Sequence, residues 1–392
     1  MLRARRTTWL VVILGFVGFV TSFGAHIVAV NLPVYAEQVG VGVAMIGLLI
    51  AAYDFAEIVA KPAFGALADR RGMKQTMLAG IALFTLASLV YAWIDPRLLL
   101  LVRFVQGVGA AALSAVSLAL VGAYVVERRG RAYGTYNAIK GAGYVVSPIV
   151  GGAIVLQSDF AAVFLAAAAV GAVAFVLSLL LPEPEARPGE VFDHDDALSL
   201  GGILSVVRRP SLWPWYAVIV VNMFFVGILF GFLPVRVHAL GYDPLTTGIV
   251  LAVATASYLL IQPIAGVLAD RLGAAPTVRL GLLLSGLGII LVPFVRDAPL
   301  LLVAILAGVG IGTVWTNTDA LISNLAQAGQ LGATIGVAGS FKELGDMLGP
   351  LLIGVLAQAF GLTVGFVACG LLGLLSLMLI RTHPVERPSP AG

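Results

Sequence analysis

Gly47–Gly72 reads GLLIAAYDFAEIVAKPAFGALADRRG, and Gly248–Gly273 reads GIVLAVATASYLLIQPIAGVLADRLG. Aligned, Pro62 falls on Pro263, Gly65 on Gly266, Asp69 on Asp270, Arg70 on Arg271 and Gly72 on Gly273. The same offset pairs Pro33 with Pro234, Gly107 with Gly308 and Gly109 with Gly310. One residue further on, Lys140, Pro148 and Gly152 meet Lys342, Pro350 and Gly354. A register held across five segments marks an internal duplication rather than chance. Each copy opens on an apolar run of membrane-spanning length, since about 20 apolar residues cross a hydrocarbon core.

The composition of the 392-residue chain agrees: 60% is hydrophobic and only 11% charged. A soluble domain carries roughly 25% charged residues, so this chain lacks the polar surface a water-soluble globule needs. A lone cysteine, Cys369, forms no internal disulfide, and no Cys/His cluster offers a metal site. A net charge of +3 does not point to nucleic acid. Twelve spans are expected, near 9–30, 43–67, 76–94, 98–125, 132–156, 160–181, 213–234, 246–269, 276–295, 299–322, 333–358 and 362–380. The first follows Arg3, Arg5 and Arg6 but is too long for a signal peptide, and it is read as a helix closing at Leu32-Pro33.

Lys and Arg concentrate on the side of the termini: Arg70, Arg71, Lys74, Arg128, Arg129, Arg131, Arg208, Arg209, Arg271 and Arg279 all fall there. The opposite loops hold only Arg97, Arg236 and Arg296. The positive-inside rule then makes both termini cytoplasmic. The hydrophilic stretch 182–212 reads as a solvated linker between an N-terminal bundle, 1–181, and a C-terminal one, 213–392, with a short interfacial helix over 198–207 as an option. Two six-helix halves of one topology imply an axis along the membrane normal. That symmetry places a cavity near the midplane and permits alternating access by rocking.

Several motifs carry a family resemblance. Gly65-Ala-Leu-Ala-Asp69-Arg70-Arg71-Gly72-Met-Lys74 resembles the signature loop of the major facilitator superfamily, and Arg103-Phe-Val-Gln106-Gly107-Val-Gly109 its second motif. Ser147-Pro148-Ile-Val-Gly151-Gly152 is similar to the end of its antiporter motif, with Ser147 where glycine is usual. Leu32-Pro33-Val-Tyr35 is similar to twelve-span drug:proton antiporters. The resemblance implies an all-α membrane fold of two pseudo-symmetric bundles working as a monomer in the inner membrane, with no cofactor. It also implies a gating role for Asp69, Arg70 and Gly72, with Arg103 as a partner or switch near Asp69. Asp69 would accept the N-terminal dipole of the eleventh helix. Asp270 and Arg271 repeat the latch without the basic residues that follow in the first copy.

Charges inside spans cost about 2.5–3.5 kcal/mol on insertion scales, which makes each a functional candidate. Asp54, Glu57 and Lys61 form one stripe on the second helix, with Glu57–Lys61 readable as a self-neutralising i, i+4 pair. Lys140 and Lys342 hold symmetric positions, and Glu343 and Asp346 follow the second. Proton coupling is assigned to Asp54, Glu57, Lys140, Lys342 and Asp346, with Lys140 against Asp54 or Glu57 and Lys342 against Asp346. His26 has a titration range suited to proton exchange, with plain packing as its other reading. A cavity surface is expected from Tyr53, Asn137, Tyr144, Asn222, Phe225, Tyr258, Gln262, Trp315, Asn317 and Asp319. Aromatics with a few amides and acids suit an amphiphilic, cationic organic molecule. The alternatives are a specific metabolite, anionic if the two lysines serve it, and a lipid flippase. No nucleophile, zincin or P-loop motif supports an enzyme or an ATP-driven pump.

Overall fold

The computed structural model describes residues 2–124, 129–182, 205–327 and 331–380. Among them are twelve helices long and apolar enough to cross a membrane. Hydrocarbon offers backbone groups no hydrogen bonds, so each span must satisfy its own, and the helix does so within one segment. The first half contains α1 (Leu2–Gln38), α2 (Val43–Arg71), α3 (Met73–Val90), α4 (Leu99–Tyr124), α5 (Arg129–Gln157) and α6 (Phe160–Leu179). The second contains α7 (Trp213–Gly231), prolonged by a short helix Leu233–Ala239, then α8 (Pro244–Leu272) and α9 (Ala274–Leu291). It ends with α10 (Asp297–Asn324), α11 (Leu331–Phe360) and α12 (Leu362–Leu375). The expected end of α1 at Pro33 is corrected, because the helix runs through that proline to Gln38. An interior proline removes one helical bond, which packed neighbours in a membrane bundle tolerate. Most of the linker, 183–204, lies outside the described residues, and with it most of the optional helix at 198–207.

The duplication in sequence is a duplication in space. In the first half α1 packs on α5 and α6, α2 on α4, and α3 on α4 and α6. The second half repeats four of these pairs, with α7 on α11, α8 on α10, and α9 on α10 and α12, and it differs in the last helix, which packs on α11 where α6 packs on α1. Even the turns match. Gly72 and Gly273 end α2 and α8 with φ of 96° and 93°, a left-handed conformation that favours glycine. Their N–H groups donate to the Ala68 and Ala269 carbonyls. The Thr76 and Thr277 hydroxyls then donate to the two glycine carbonyls at 3.0 and 2.8 Å.

The halves meet along two seams, α2 against α11 and α5 against α8. Contact is tight at the end remote from the chain termini. There Gly47 lies against the backbone of Pro350 and Gly354, and Gly248 against Pro148 and Ile149. Gly152 closes on Pro244 and Leu245 in the same way. Toward the terminal face the same helices part: a Cβ added at Gly65, Gly134, Gly266 or Gly336 would meet nothing within 4 Å. The space between the bundles therefore opens toward the face from which α1 begins and is shut at the other.

Candidate functional site

The α2 stripe faces the α2–α11 seam. Glu57 is 8% exposed, and its carboxylate accepts from Lys61 Nζ at 2.6 Å. Side chains on a helix lean toward its N-terminus, which carries Lys61 back over Glu57 one turn earlier. The same ammonium reaches across the seam to Glu343 of α11 at 2.5 Å. Just beyond, carboxylate oxygens of Asp54, Glu343 and Asp346 lie within 4.8 Å of one another. Acids from both bundles thus share one small volume on the wall between them.

The same lean explains a correction on α11. Lys342 does not pair with Asp346, one turn C-terminal to it; it points the other way and holds Asp319 of α10 at 2.7 Å. Its ammonium also stands 5.0 Å from the Trp315 ring centroid, and Trp315 stacks on Tyr258 at 5.9 Å. Lys140 forms no ion pair with Asp54 or Glu57 among the described residues, and Glu57 is held by Lys61 instead. It remains within electrostatic reach of Glu57 and close to the Tyr136 and Tyr144 hydroxyls.

Arg103 is not beside Asp69. It lies over the Tyr53 ring at 4.2 Å, donates to Gln106 Oε1 at 2.7 Å and acts on the charge of Asp54. At 1.5 Å rise per residue, Tyr53 is about 24 Å along α2 from Asp69. Arg103 stands one turn into α4 at the closed end, whereas Asp69 lies at the open one. The Asp69 side chain is outside the description; Arg70, Asp270 and Arg271 are exposed at the terminal face. His26 donates from Nδ1 to the Ser22 carbonyl at 2.9 Å and packs edge-on to Tyr144 at 4.3 Å and Phe230 at 4.7 Å. Those rings come from both bundles, so His26 is part of the closed end.

Other expected lining residues turn inward. Phe225 is fully buried, with its ring filling the space beside Gly373 of α12. Asn317 is spent on backbone, donating to the Thr313 carbonyl at 2.8 Å and the Ala265 carbonyl at 3.3 Å. Asn222 is buried in α7 with no partner for its Oδ1 among the described residues. Asn137 is exposed and Gln262 half-buried, both on the side where the seams part.

The model of the Major Facilitator Superfamily matches residues 14–257 and 220–392. The chain belongs to that superfamily. It is 26% identical to the class E tetracycline resistance protein of Escherichia coli, with 93% of each chain covered. It is also 26% identical to the multidrug resistance protein Stp of Mycobacterium tuberculosis, over 87% of this chain and 74% of that one. Among solved structures, a bacterial homologue of the human lysosomal transporter Spinster superposes with a TM-score of 0.84 at 15% identity, covering 98% of this chain and 99% of that one. The nucleoside transporter NupG gives 0.80 at 13% identity, covering 95% and 98%. The chain is thus a multi-pass membrane transporter, not an enzyme.

Within this facilitator the two seams share a backbone and differ in chemistry. Asp54, Glu57 and Lys61 of α2 correspond by the repeat to Thr255, Tyr258 and Gln262 of α8. Glu343 and Asp346 of α11 have no acidic counterpart on α5, where Tyr144 occupies the corresponding region. One seam is acidic and the other aromatic. Two residues at the centre of the acidic seam, Lys61 and Glu343, were absent from the functional set expected from sequence. The signal for Glu343 was available: as a charge inside a span it needs a partner, and α11 itself leaves it none.

Proposed function

We propose that this facilitator is a proton-coupled antiporter that exports amphiphilic organic compounds across the inner membrane. Its terminal face is cytoplasmic in this reading, so the cavity described above is inward-facing. Bundles 1–181 and 213–392, joined by the linker 182–212, rock about the seams as a monomer. The supporting observation is the sharing of Asp54, Glu343 and Asp346 by two bundles that must move against each other. Carboxylates held this close disfavour simultaneous ionisation, so a proton or a cationic ligand stabilises the group. A cavity open to one side at a time delivers that proton and that ligand from opposite faces. Trp315 and Tyr144, both half-buried, supply ring surface for the body of the substrate, with the buried Tyr258 stacked against Trp315. Relatives named for tetracycline, multidrug and puromycin resistance favour drugs over a lipid or an anionic metabolite. Pairing of Lys342 with Asp319 also leaves less free positive charge for an anion.

The test is gradient-driven movement of fluorescent lipophilic cations in proteoliposomes, with Asp54→Asn and a zero-gradient control. Gradient-dependent transport lost in the variant is the expected result. Equal wild-type rates with and without a gradient would remove proton coupling. No movement of any cation would remove the substrate class.

A further inference from the structure

Lys61 is the one cation that joins the two bundles by an ion pair among the described residues, bonding Glu57 on its own helix at 2.6 Å and Glu343 on α11 at 2.5 Å. It is attached two turns nearer the open face than Asp54. Its ammonium therefore stands between the cavity mouth and the carboxylates of Asp54, Glu343 and Asp346. The three side chains of the bridge are 26%, 11% and 23% exposed for Lys61, Glu57 and Glu343, so water reaches the contact and a ligand cation can compete for it.

We propose that Lys61 is an internal competitor for cationic substrate, holding Glu343 in the empty carrier and releasing it when an organic cation enters. The inference rests on the drug-export reading and deepens it. An organic cation seated against Glu343 lies beside the Lys61 ammonium, and two like charges at that spacing repel. Cation binding and the Lys61–Glu343 bond therefore exclude each other. The neighbouring cations do not substitute for Lys61: Arg103 is engaged with Tyr53 and Gln106, Lys140 lies near Glu57 and the tyrosines, and Lys342 holds Asp319. Displacement leaves Lys61 on Glu57, within its own bundle, and cuts the ionic tie across the α2–α11 seam. Occupancy by a cation thus loosens the joint that has to move, a differential contact of the kind a conformational shift requires. A neutral substrate leaves the tie in place.

The repeat supplies a variant suited to the test. Gln262 occupies the position in α8 that Lys61 occupies in α2, so this site in the helix accepts glutamine. Binding of tetraphenylphosphonium, a permanent cation, and of chloramphenicol, a neutral compound, is measured on the purified full chain. Lys61→Gln should tighten tetraphenylphosphonium binding about tenfold, equivalent to about 1.4 kcal/mol. Chloramphenicol affinity should stay within about twofold, a free-energy change well below that of the cation. Lys61→Arg should match wild type, and Lys61→Met should repeat the gain in a chain that elutes as a single species. Unchanged or weaker cation binding in Lys61→Gln, with wild type still transporting the cation, overturns this inference alone. An equal gain for both probes also overturns it, because charge competition would then not be the cause. Binding of neither probe by any form overturns the substrate class together with the inference.

Discussion

Replacing Gly47 with alanine adds one methyl group where α2 crosses the backbone of Pro350 and Gly354 on α11. The nearest atom is the Pro350 carbonyl oxygen, on a helix backbone rather than at the end of a flexible side chain. The two helices must therefore separate. Alanine is the better helix former, so α2 itself loses nothing. Overpacking of this kind costs about 1–3 kcal/mol, charged only to the state in which the far end is closed. Relative to the alternative state, that is about a 5- to 150-fold shift in population. Spin labels at Trp93 and Phe360, both exposed at the far end of their bundles, report the separation there. Gly47→Ala should move the distance distribution to longer values, as should Gly248→Ala on the pseudo-symmetric contact with Pro148. Gly65→Ala, in open space on the same helix, should leave it unchanged. A wild-type distribution in folded Gly47→Ala would refute the argument that this contact holds the far end shut.

Phe225→Ala should lower thermal stability by about 3–5 kcal/mol, as for other buried aromatics, and leave substrate selectivity intact in transport assays. Trp315→Ala, at a half-buried ring, should instead weaken binding of aromatic cations by about 0.5–1.5 kcal/mol, the worth of a ring contact, read by equilibrium binding. Asp243 caps α8 by accepting from the Thr246 N–H at 2.9 Å, and Asp243→Ala should cost about 1 kcal/mol in thermal unfolding. The Thr246 hydroxyl and N–H hold the Asp243 carboxyl below its usual pKa. A depressed folded value means the contribution is complete above the unfolded pKa of about 3.9 and fades as pH falls through the lower folded one. The stability gap between wild type and Asp243→Ala should accordingly narrow only in acid.

The fold was legible in the sequence because its causes are local and repeated. An apolar run of span length, a glycine turn at Gly72 and Gly273, and small residues at crossings each act within a few residues. The pairing of charges was legible only in part. Helical periodicity placed Asp54, Glu57 and Lys61 on one stripe and gave the Glu57–Lys61 pair. It erred for Lys342 and Asp346, because spacing gives the shared face but not the lean of a long side chain toward the helix N-terminus. The choice of Asp319 for Lys342 and Glu343 for Lys61 depends on which helix stands opposite, which no single-helix pattern contains. Phe225 and Asn317 show the same gap. Their residue types suit a cavity wall, but rotation of α7 and α10 within the bundle turns both to the interior.

The contrast between the seams ties these observations to the cycle. Rocking requires both seams to open and close in concert, and the repeated glycine contacts at Gly47 and Gly248 give them matching mechanics. Their loads differ. The aromatic seam, with half-buried Tyr144 and neighbouring Trp315 over the buried Tyr258, carries rings in place of acids. The acidic seam carries Asp54, Glu57, Glu343 and Asp346 against the single ammonium of Lys61, with Arg103 and Lys140 near its edges. Four carboxylates and those three cations leave one negative charge unmatched when every group is ionised. In the proposed antiporter, a proton neutralises that excess from within, and a cationic substrate does so from the cavity. Either suffices and both together overshoot, so the two ligands compete for one electrostatic vacancy located at the joint that must move. Under this account, exchange follows from charge balance at a single seam, and the second seam is free to vary its rings with the shape of the compound.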